Sequence, residues 1–286
     1  MVTGVILPRI PSLRIEATPI QGGKERELDL AAVRAVLRKT EGDYLLSTPC
    51  GYFKAKPEFH QSLAEYVDLH YAKLGDELWA NPTGLQHVDH NVGRGSLHYS
   101  SGGDAVLVPS FAKDQMAALI RRAGLVGVGM GVFVSVGDML GYNAAEWRGR
   151  FFGSYFWVDA KSQGNMLNIL EASDWLAHKD GSWSNPEQVR LLKGQEIVFS
   201  ADYSLPLEKL NPVAEALARA LPWVQIDEGV SVNLNAVQGI GPRDPDNSEI
   251  VVSMGAGLEH TISRTVNGKI VAALVGFPSP RQPGAI

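Results

Sequence analysis

The sequence contains a single cysteine, Cys50, among its 286 residues. One thiol excludes an internal disulfide framework and is typical of a reducing compartment. Cys50 lies in a turn-like Thr-Pro-Cys-Gly segment, where we expect a small residue without a nucleophilic role. No apolar run of about 18 residues is present, so the sequence predicts no membrane-spanning helix. The apolar patch at the amino terminus is too short for a signal peptide, and we expect a cytoplasmic protein.

Common catalytic motifs are also missing. There is no Gly-x-x-x-x-Gly-Lys-Ser/Thr phosphate loop, no Gly-x-Ser-x-Gly nucleophile elbow and no Cys-x-x-Cys pair. Gly127, Gly129 and Gly131 lack the Gly-x-Gly-x-x-Gly spacing of a dinucleotide-binding loop, and a strand pattern surrounds them. The sequence therefore predicts no cofactor and no assembled active site, and we lean against an enzyme.

Acidic residues outnumber basic ones, and the net charge is −5. A charge of this sign argues against a nucleic-acid-binding protein and mildly favours a basic partner. The hydrophobic and charged fractions, 45% and 20%, are ordinary for a globular protein. A chain of this length has room for one large domain or two small ones.

The most regular pattern is Leu125–Gly137, in which residues alternate with a period of two. Valine and methionine fall on one side, and glycine, phenylalanine and serine fall on the other. The alternation predicts one long, buried strand. Because alternate glycines leave one face nearly bare, we expect the aromatic side chains of a nearby strand, Phe151–Val158, to pack over them. This pair is the predicted centre of the sheet.

Helical spacing predicts a helix from the cap residue Asp29 to about Thr40, and a second that begins at Pro57 and ends at Gly75. Strand–helix–strand units are predicted over residues 104–137 and 195–226. Their similar layout is compatible with an internal duplication, although such units also recur without one.

These elements predict an α+β protein with a mostly antiparallel sheet that carries helices on one face. We divide the chain into an N-terminal extension (residues 1–48), a central α+β domain (49–226) and a C-terminal β-hairpin extension (227–286). The dipeptide Asn267-Gly268 is the strongest hairpin signal of the last segment.

Three of the seven histidines lie close together in the sequence: His87, His90 and His98, with Asp89 among them. His87 and Asp89 match the His-x-Asp pair that supplies two metal ligands in iron/2-oxoglutarate oxygenases. If this segment is a strand, His87 and Asp89 share one face, and His90 points away.

A metal site would need a third ligand from elsewhere in the chain. Either His178 or His260 would have to supply it, although His260 is far away in sequence. The ligand set that we assign to a metal-dependent enzyme is His87, Asp89 and His260. Polar loops rich in histidine commonly bind no metal, so the favoured prediction is that no metal binds.

Mixed charged and aromatic segments surround two tryptophans, Trp147 and Trp175. Such segments can anchor a partner at the surface. A tryptophan packed in the core with its ring N–H hydrogen-bonded is the favoured interpretation for both.

Several features between residues 50 and 225 follow one another in a characteristic order. They are Tyr52-Phe53-Lys54, the pattern Asp68-x-x-Tyr71-x-x-Leu74-Gly75 with Leu78-Trp79 after it, the glycine-rich Gly124–Gly131, Asn165-Met166-Leu167, and a Gly-led strand and helix over Gly194–Leu221. This order resembles the domain-of-unknown-function family of type VI secretion immunity proteins. The segment Asp202–Pro206 departs from the family pattern because it lacks a Gly-Asp pair.

The resemblance implies a cytoplasmic protein that binds a cognate toxic effector, often a nuclease, and neutralises it by occluding its active site. Such a protein does no chemistry and relies on an acidic surface with a few aromatic or charged anchors. The implied partner is a basic protein rather than nucleic acid or a membrane. Two alternatives stay open: a metal-dependent enzyme that uses the His87/Asp89 cluster, and a self-assembling virion or shell protein, which would be a homo-oligomer.

Overall fold

The computed structural model describes residues 10–40, 42–91, 94–101, 104–108, 113–129, 131–242, 249–255 and 257–263, together with Gly268 and Ala273. The predicted hairpin around Asn267 lies outside these residues. The chain divides into two compact units. The described residues of the first unit lie within Thr3–Asp138 and Val158–Ser162, and those of the second lie within Met139–Trp157 and Gln163–Ile286.

The first unit contains two sheets. The first sheet has the strand order β2-β1-β5-β4-β3-β7-β6 and the second has the order β10-β9-β8-β12-β11. The strands of the first sheet are β1 (Arg14–Pro19), β2 (Arg26–Asp29), β3 (Ala35–Arg38), β4 (Tyr44–Thr48), β5 (Gly51–Ala55), β6 (Ala72–Lys73) and β7 (Leu78–Ala80). Those of the second are β8 (Leu85–Asn91), β9 (Arg94–Tyr99), β10 (Val106–Val108), β11 (Val126–Gly129) and β12 (Val132–Val134). Helix α1 (His60–His70) follows β5, and helix α2 (Lys113–Arg122) follows β10.

The second unit contains two sheets of five strands and one of three, in the orders β15-β14-β13-β17-β16, β20-β19-β18-β22-β21 and β23-β24-β25. The third sheet has β13 (Gly141–Asn143), β14 (Arg148–Phe151), β15 (Ser154–Trp157), β16 (Leu176–Ala177) and β17 (Ser182–Ser184). The fourth has β18 (Leu191–Lys193), β19 (Glu196–Ser200), β20 (Tyr203–Pro206), β21 (Trp223–Asp227) and β22 (Val230–Asn233). The fifth has β23 (Gly239–Pro242), β24 (Glu249–Gly255) and β25 (Leu258–Ser263). Helix α3 (Gln163–Ala172) follows β15, and helix α4 (Pro212–Arg219) follows β20.

The protein is therefore α+β and mostly antiparallel, as the sequence predicts. One connection pattern recurs along the chain: three strands, a helix and then two strands, with the last strand paired beside the first. The described part of the first sheet adds β1 and β2 to this pattern, so residues of the predicted N-terminal extension share a sheet with β5 to β7. The predicted boundary at residues 226–227 falls within β21.

Each unit has its own hydrophobic core. In the first unit one cluster lies around Leu46, Leu63 and Tyr71, and another contains Leu97 and Leu119. The second unit has clusters around α4 and the fourth sheet, and around the fourth and fifth sheets. No helix in the described ranges has both the length and the apolar character that crossing a membrane requires.

The helices α2 and α4 agree with the sequence prediction because their end signals are local. The Asn211 side chain caps α4 by accepting a hydrogen bond from Ala214 N at 2.8 Å, and Pro212 occupies the first turn. Gly124, with φ +66°, follows α2 in the left-handed conformation that ends many helices. For α1, the predicted start at Pro57 is a 3₁₀ turn that leads into the helix, and the predicted end at Gly75 is wrong, because the helix ends at His70 and β6 follows.

The predicted helix from Asp29 to Thr40 is wrong. Asp29 does cap a turn, by accepting a hydrogen bond from Ala31 N, but the turn is a short 3₁₀ helix, Leu30–Ala32, and β3 follows it. Strand β3 lies between β4 and β7, and Ala35 and Val36 are both buried. Because a central strand can be buried on both faces, its apolar residues do not alternate and can imitate helical spacing.

The single long strand predicted over Leu125–Gly137 is also wrong. The segment forms two strands, β11 and β12, that pair antiparallel as a hairpin. Gly131 has φ +76°, and an added Cβ there would lie 2.0 Å from the His90 carbonyl oxygen, so only glycine fits the turn. The aromatic ring that covers Gly127 is Phe133 of the same hairpin. The predicted partner strand, Phe151–Val158, contributes instead to the hairpin β14–β15 of the third sheet.

Buried asparagines lie at the end of the last strand in three of these patterns: Asn81 and Asn185 directly follow that strand, and Asn233 is its final residue. Each side-chain amide donates to a backbone carbonyl just before the first strand of its own pattern, and each side-chain oxygen accepts from the backbone N–H of the residue two positions later. The three side chains thus satisfy buried backbone groups where one pattern ends and the next begins.

Candidate functional site

The first candidate site is a group of ligand-type side chains on β8 and β9, in the first unit. His87 and Asp89 alternate along β8 and therefore share a face, as the sequence predicts. The antiparallel register places His98 of β9 opposite His87, and Ser96 opposite Asp89. The three residues His87, Asp89 and His98 each offer a ligand atom, and these atoms all lie within 4.8 Å of one another.

The two imidazoles of this group are nearly parallel. The ring centroids of His87 and His98 are 3.9 Å apart, with an interplanar angle of 10°. Both Nε2 atoms approach the same carboxylate oxygen, Asp89 Oδ2, at 3.6 Å for His87 and 3.7 Å for His98. His87 is buried at 1% exposure, whereas the side chains of His98 and Asp89 are 30% and 43% exposed. The group therefore lies at the border between the core and solvent.

Burial and the neighbouring groups set the charge states in this cluster. Burial, together with the positive charge that His87 would carry, lowers the pKa of His98 to about 4, although Asp89 opposes this shift. The His87 side chain also holds the pKa of the Asp89 carboxyl below its usual value against the effect of burial. At neutral pH the cluster therefore contains a carboxylate and an uncharged His98, which are the forms that bind metals.

The other predicted candidates lie elsewhere. His260 is on β25 of the second unit, and its Nε2 lies 3.9 Å from Asp227 Oδ2. His178 is buried, and its Nε2 is 2.7 Å from Ser184 Oγ. Cys50 is exposed in the turn between β4 and β5. The structure brings His98 to His87 and Asp89, because the pairing of β8 with β9 decides the third member.

The second candidate site is an exposed surface on the β14–β15 hairpin, which sequence reasoning assigned to the core. The register pairs Arg148 with Trp157 and Arg150 with Tyr155, so these four side chains share one face. We name this face, together with Trp147, the aromatic–arginine surface. Trp157 is 60% exposed, Trp147 43% and Tyr155 41%.

The opposite face of the hairpin packs into the core through Gly149, Phe151 and Phe156. Phe156 covers Gly149 so closely that an added Cβ would lie 2.0 Å from its ring. Phe151 is buried beside Phe156, with ring centroids 5.4 Å apart. Aromatic side chains occur on both faces of the hairpin, so the strand pattern alone does not say which face is buried. Gly149 is the local signal, because its lack of a side chain leaves space for an aromatic ring on the inward face. The core position predicted for the tryptophans is confirmed for Trp175, at 5% exposure, and is wrong for Trp147.

The arginines of this surface are held by both rings and carboxylates. The Arg150 guanidinium carbon lies 5.2 Å from the Tyr155 ring centroid and 4.6 Å from that of Tyr203. Its Nη2 donates to Asp202 Oδ2 at 2.8 Å. Arg148 lies 5.0 Å from the Tyr155 ring and pairs with Glu146 at 2.6 Å. Cation–π contacts and ion pairs therefore keep the surface ordered without leaving it a net positive charge.

This surface concentrates aromatic exposure in one place. In the described part of the chain, ten large apolar or aromatic side chains are exposed, and three of them, Trp147, Tyr155 and Trp157, belong to this surface. Scattered exposed apolar residues are normal, whereas a contiguous group marks an interaction site. Tryptophan, tyrosine and arginine are also the residue types enriched where binding energy is concentrated in protein interfaces.

No family model matches this chain, and no curated protein or solved structure is significantly similar to it.

Proposed function

We propose that this protein is a cytoplasmic, immunity-type binding protein that neutralises a cognate toxic effector by occluding its active site. The observation that supports this proposal most directly is the aromatic–arginine surface on the β14–β15 hairpin. The proposed occupant is a folded protein, because exposed Trp157 and Tyr155 on a rigid hairpin suit a pocket on a partner of defined shape.

The hairpin is suited to act as a preorganised anchor. On the inward face, the packing of Phe156 over Gly149 holds the backbone in place. On the outer face, Arg150 contacts two tyrosine rings and donates a hydrogen bond to Asp202. A partner that contacts this face would order few additional side chains, so less entropy would be lost on binding. If Trp157 occupies the centre of the interface, its truncation would cost about 2 kcal/mol or more, which weakens Kd by about 30-fold.

The charges of the chain suit a basic effector. The net charge is −5, and Arg148 and Arg150 each have an acidic partner within the chain. The surface therefore does not repel a basic protein locally, while the acidic remainder attracts it over longer distances. Association would slow as salt is raised, because screening weakens this attraction.

We also propose that the recurring connection pattern arose by internal duplication and that its helices share one face. The first strands of the patterns begin at Ala35, Leu85, Gly141 and Leu191, at intervals of 50, 56 and 50 residues. Repeat architectures commonly present extended binding surfaces. A duplication implies that Asn81, Asn185 and Asn233 have the same structural role. Alanine at each position should therefore lower the free energy of unfolding by a similar amount. A large loss at only one of them would contradict it.

The decisive experiment begins with the product of the adjoining gene. The two proteins are co-expressed, co-purified and titrated calorimetrically, and growth is measured with the toxin alone and with both proteins. We expect a stable complex, and toxicity only in the absence of this protein. Trp157→Ala and Tyr155→Ala should weaken the complex at least about tenfold. The matched control is Leu69→Ala, because Leu69 is also exposed, at 71%, but lies on α1 of the first unit.

Several outcomes would contradict the proposal. A metabolic gene as neighbour, or equal binding by the wild type and Trp157→Ala, would exclude this surface as an effector site. Binding of labelled single- or double-stranded DNA that depends on Trp157 would indicate a nucleic-acid partner instead. Light scattering that shows a Trp157-dependent oligomer of the chain alone would favour a self-assembling structural protein.

A metal-dependent enzyme is the second candidate function, favoured by the close approach of His87 and Asp89 to a third ligand-type residue. Under this alternative, the purified chain would lose a catalysed reaction when metal is removed and regain it when metal is added. Neutralisation of the effector that is unchanged by chelators, together with no metal-dependent turnover, would contradict it.

A further inference from the structure

The side chains of His87, Asp89 and His98 come from neighbouring strands whose register holds them together. Five hydrogen-bonded or opposed residue pairs fix β8 against β9 after a bulge at the start of β8. On the other side of β8, Val134 pairs with His87 and Val132 pairs with Asp89. The ligand-type side chains therefore project from the middle of a sheet and not from a loop. A site on such a framework is held more rigidly than one on loops.

The spacing of the ligand atoms distinguishes between coordination geometries. Bonds of about 2.0–2.1 Å place neighbouring ligands of a tetrahedral zinc site about 3.3–3.4 Å apart. An octahedral site with similar bonds has neighbours about 3.0 Å apart. Asp89 Oδ2 lies 3.6 and 3.7 Å from the two Nε2 atoms, which is closer to the tetrahedral value. Small rotations of the imidazoles would bring all three atoms onto one ion.

The surroundings leave room for one more ligand. His87 is covered by the core, whereas Asp89 and His98 are partly exposed, so one side of the group faces solvent. Ser96 Oγ lies 3.2 Å from His98 Nε2, so this hydroxyl must give up its contact with that nitrogen when Nε2 binds an ion. Three protein ligands with a position open to water are typical of accessible zinc sites.

We propose that His87, Asp89 and His98 form a binding site for a zinc-class divalent cation, with solvent as the fourth ligand. Two imidazoles and one carboxylate suit a borderline ion such as Zn²⁺ better than Mg²⁺ or Ca²⁺, which prefer oxygen ligands. The ion joins β8 to β9. It stabilises the first unit because it binds the folded state and not the unfolded state. This site does not depend on the proposed protein partner.

The test uses the full-length chain without an affinity tag, freed of metal by a chelator and titrated with Zn²⁺ in a calorimeter. We expect one Zn²⁺ per chain and a higher melting temperature with Zn²⁺. Loss of an outer-shell partner weakens metal binding 10–100-fold, so loss of a direct ligand in Asp89→Asn or His98→Ala should cost at least about tenfold. Co²⁺ should give the intense visible absorption of a tetrahedral site.

The matched control is His90→Ala, because His90 lies beside Asp89 on the same strand but on the opposite face. Its Zn²⁺ affinity should stay within about twofold of the wild type. The circular dichroism spectrum of each variant is compared first, and Asp89→Asn retains the shape of the side chain if His98→Ala fails to fold. The proposal is overturned if the wild type binds no Zn²⁺, if Asp89→Asn binds as tightly as the wild type, or if Co²⁺ shows the weak absorption of an octahedral site.

Discussion

Asn81 ties two turns of the first unit together, and its replacement by alanine tests whether such buried asparagines stabilise the fold. The residue directly follows β7 and is 2% exposed. Its Nδ2 donates to the carbonyl oxygens of Ala31 at 3.1 Å and Val33 at 2.9 Å, and its Oδ1 accepts from Thr83 N at 2.8 Å. Three backbone groups in two separate turns therefore depend on one side chain.

The expected loss follows from these three hydrogen bonds. Each intramolecular hydrogen bond contributes about 1 kcal/mol net, and a buried group left without a partner costs a further 1–3 kcal/mol or so. The Val33 oxygen keeps the Tyr71 hydroxyl at 2.8 Å, whose one hydrogen it shares with the Leu30 oxygen at 2.6 Å. Ala31 and Thr83 lie near enough to the surface for water to reach them. The full penalty is therefore avoided, and Asn81→Ala should lower the free energy of unfolding by about 2–3 kcal/mol.

Equilibrium urea denaturation, followed by far-UV circular dichroism, measures this loss, and hydrogen exchange of the Thr83 amide reports it locally. We expect faster exchange at Thr83 even under conditions where the protein stays folded. The control is Asn168→Ala, an exposed asparagine on α3 whose replacement should change stability by less than about 0.5 kcal/mol. Equal stabilities of the Asn81 and Asn168 variants would refute the reasoning.

Two further predictions concern the second unit. Gly149→Ala should lower the free energy of unfolding by about 1–3 kcal/mol or more, because the new methyl group would lie 2.0 Å from the buried Phe156 ring. Urea denaturation measures this loss, and adding Phe156→Leu to Gly149→Ala should restore part of it. Burial lowers the pKa of His178 below its ordinary value of 6.5, so the unfolded chain binds more protons than the folded one in mild acid. The contribution of His178 is therefore fully present above about pH 6.5 and is lost as the pH falls towards the lowered pKa. His178→Gln should reduce the slope of unfolding free energy against pH between about pH 7 and 5.

Suitable controls exist for both. Gly164→Ala on α3 adds a methyl group where no atom lies within 4 Å, so it should be neutral or stabilising, and a loss equal to that of Gly149→Ala would contradict the steric argument. For His178, the nearby charges are Asp180, which raises its pKa, and Lys209, which lowers it. An unchanged slope of unfolding free energy against pH in His178→Gln would contradict a pKa of His178 that differs between the folded and unfolded states.

Helix ends and tight turns could be read from the sequence because their causes are local. The asparagine cap and proline that start α4, and the glycine that follows α2, act within a few residues of themselves. The segment Leu28–Leu37 could not be read in this way. Strand β3 is buried on both faces because Ala35 packs in one hydrophobic cluster of the first unit and Val36 packs in the other, and no residue within the segment records those distant neighbours.

The histidine cluster shows the same division. Alternation along β8 is a property of any strand, so the shared face of His87 and Asp89 follows from the sequence alone. The third member depends on how β8 and β9 are aligned, and a shift of one residue would turn His98 to the opposite face. The sequence alone therefore could not single out His98, which the strand beside His87 supplies.

On the β14–β15 hairpin, the sequence by itself determined that Tyr155 and Trp157 share one face and that Phe156 lies on the other. Which face became the surface was decided by packing. Phe156 has the bare backbone of Gly149 to cover, and Phe151 lies beside it in the core, so burying this side fills space with little strain. Tyr155 and Trp157 are left outside with the two arginines, because a side chain cannot be exchanged between the faces of a strand without changing its register.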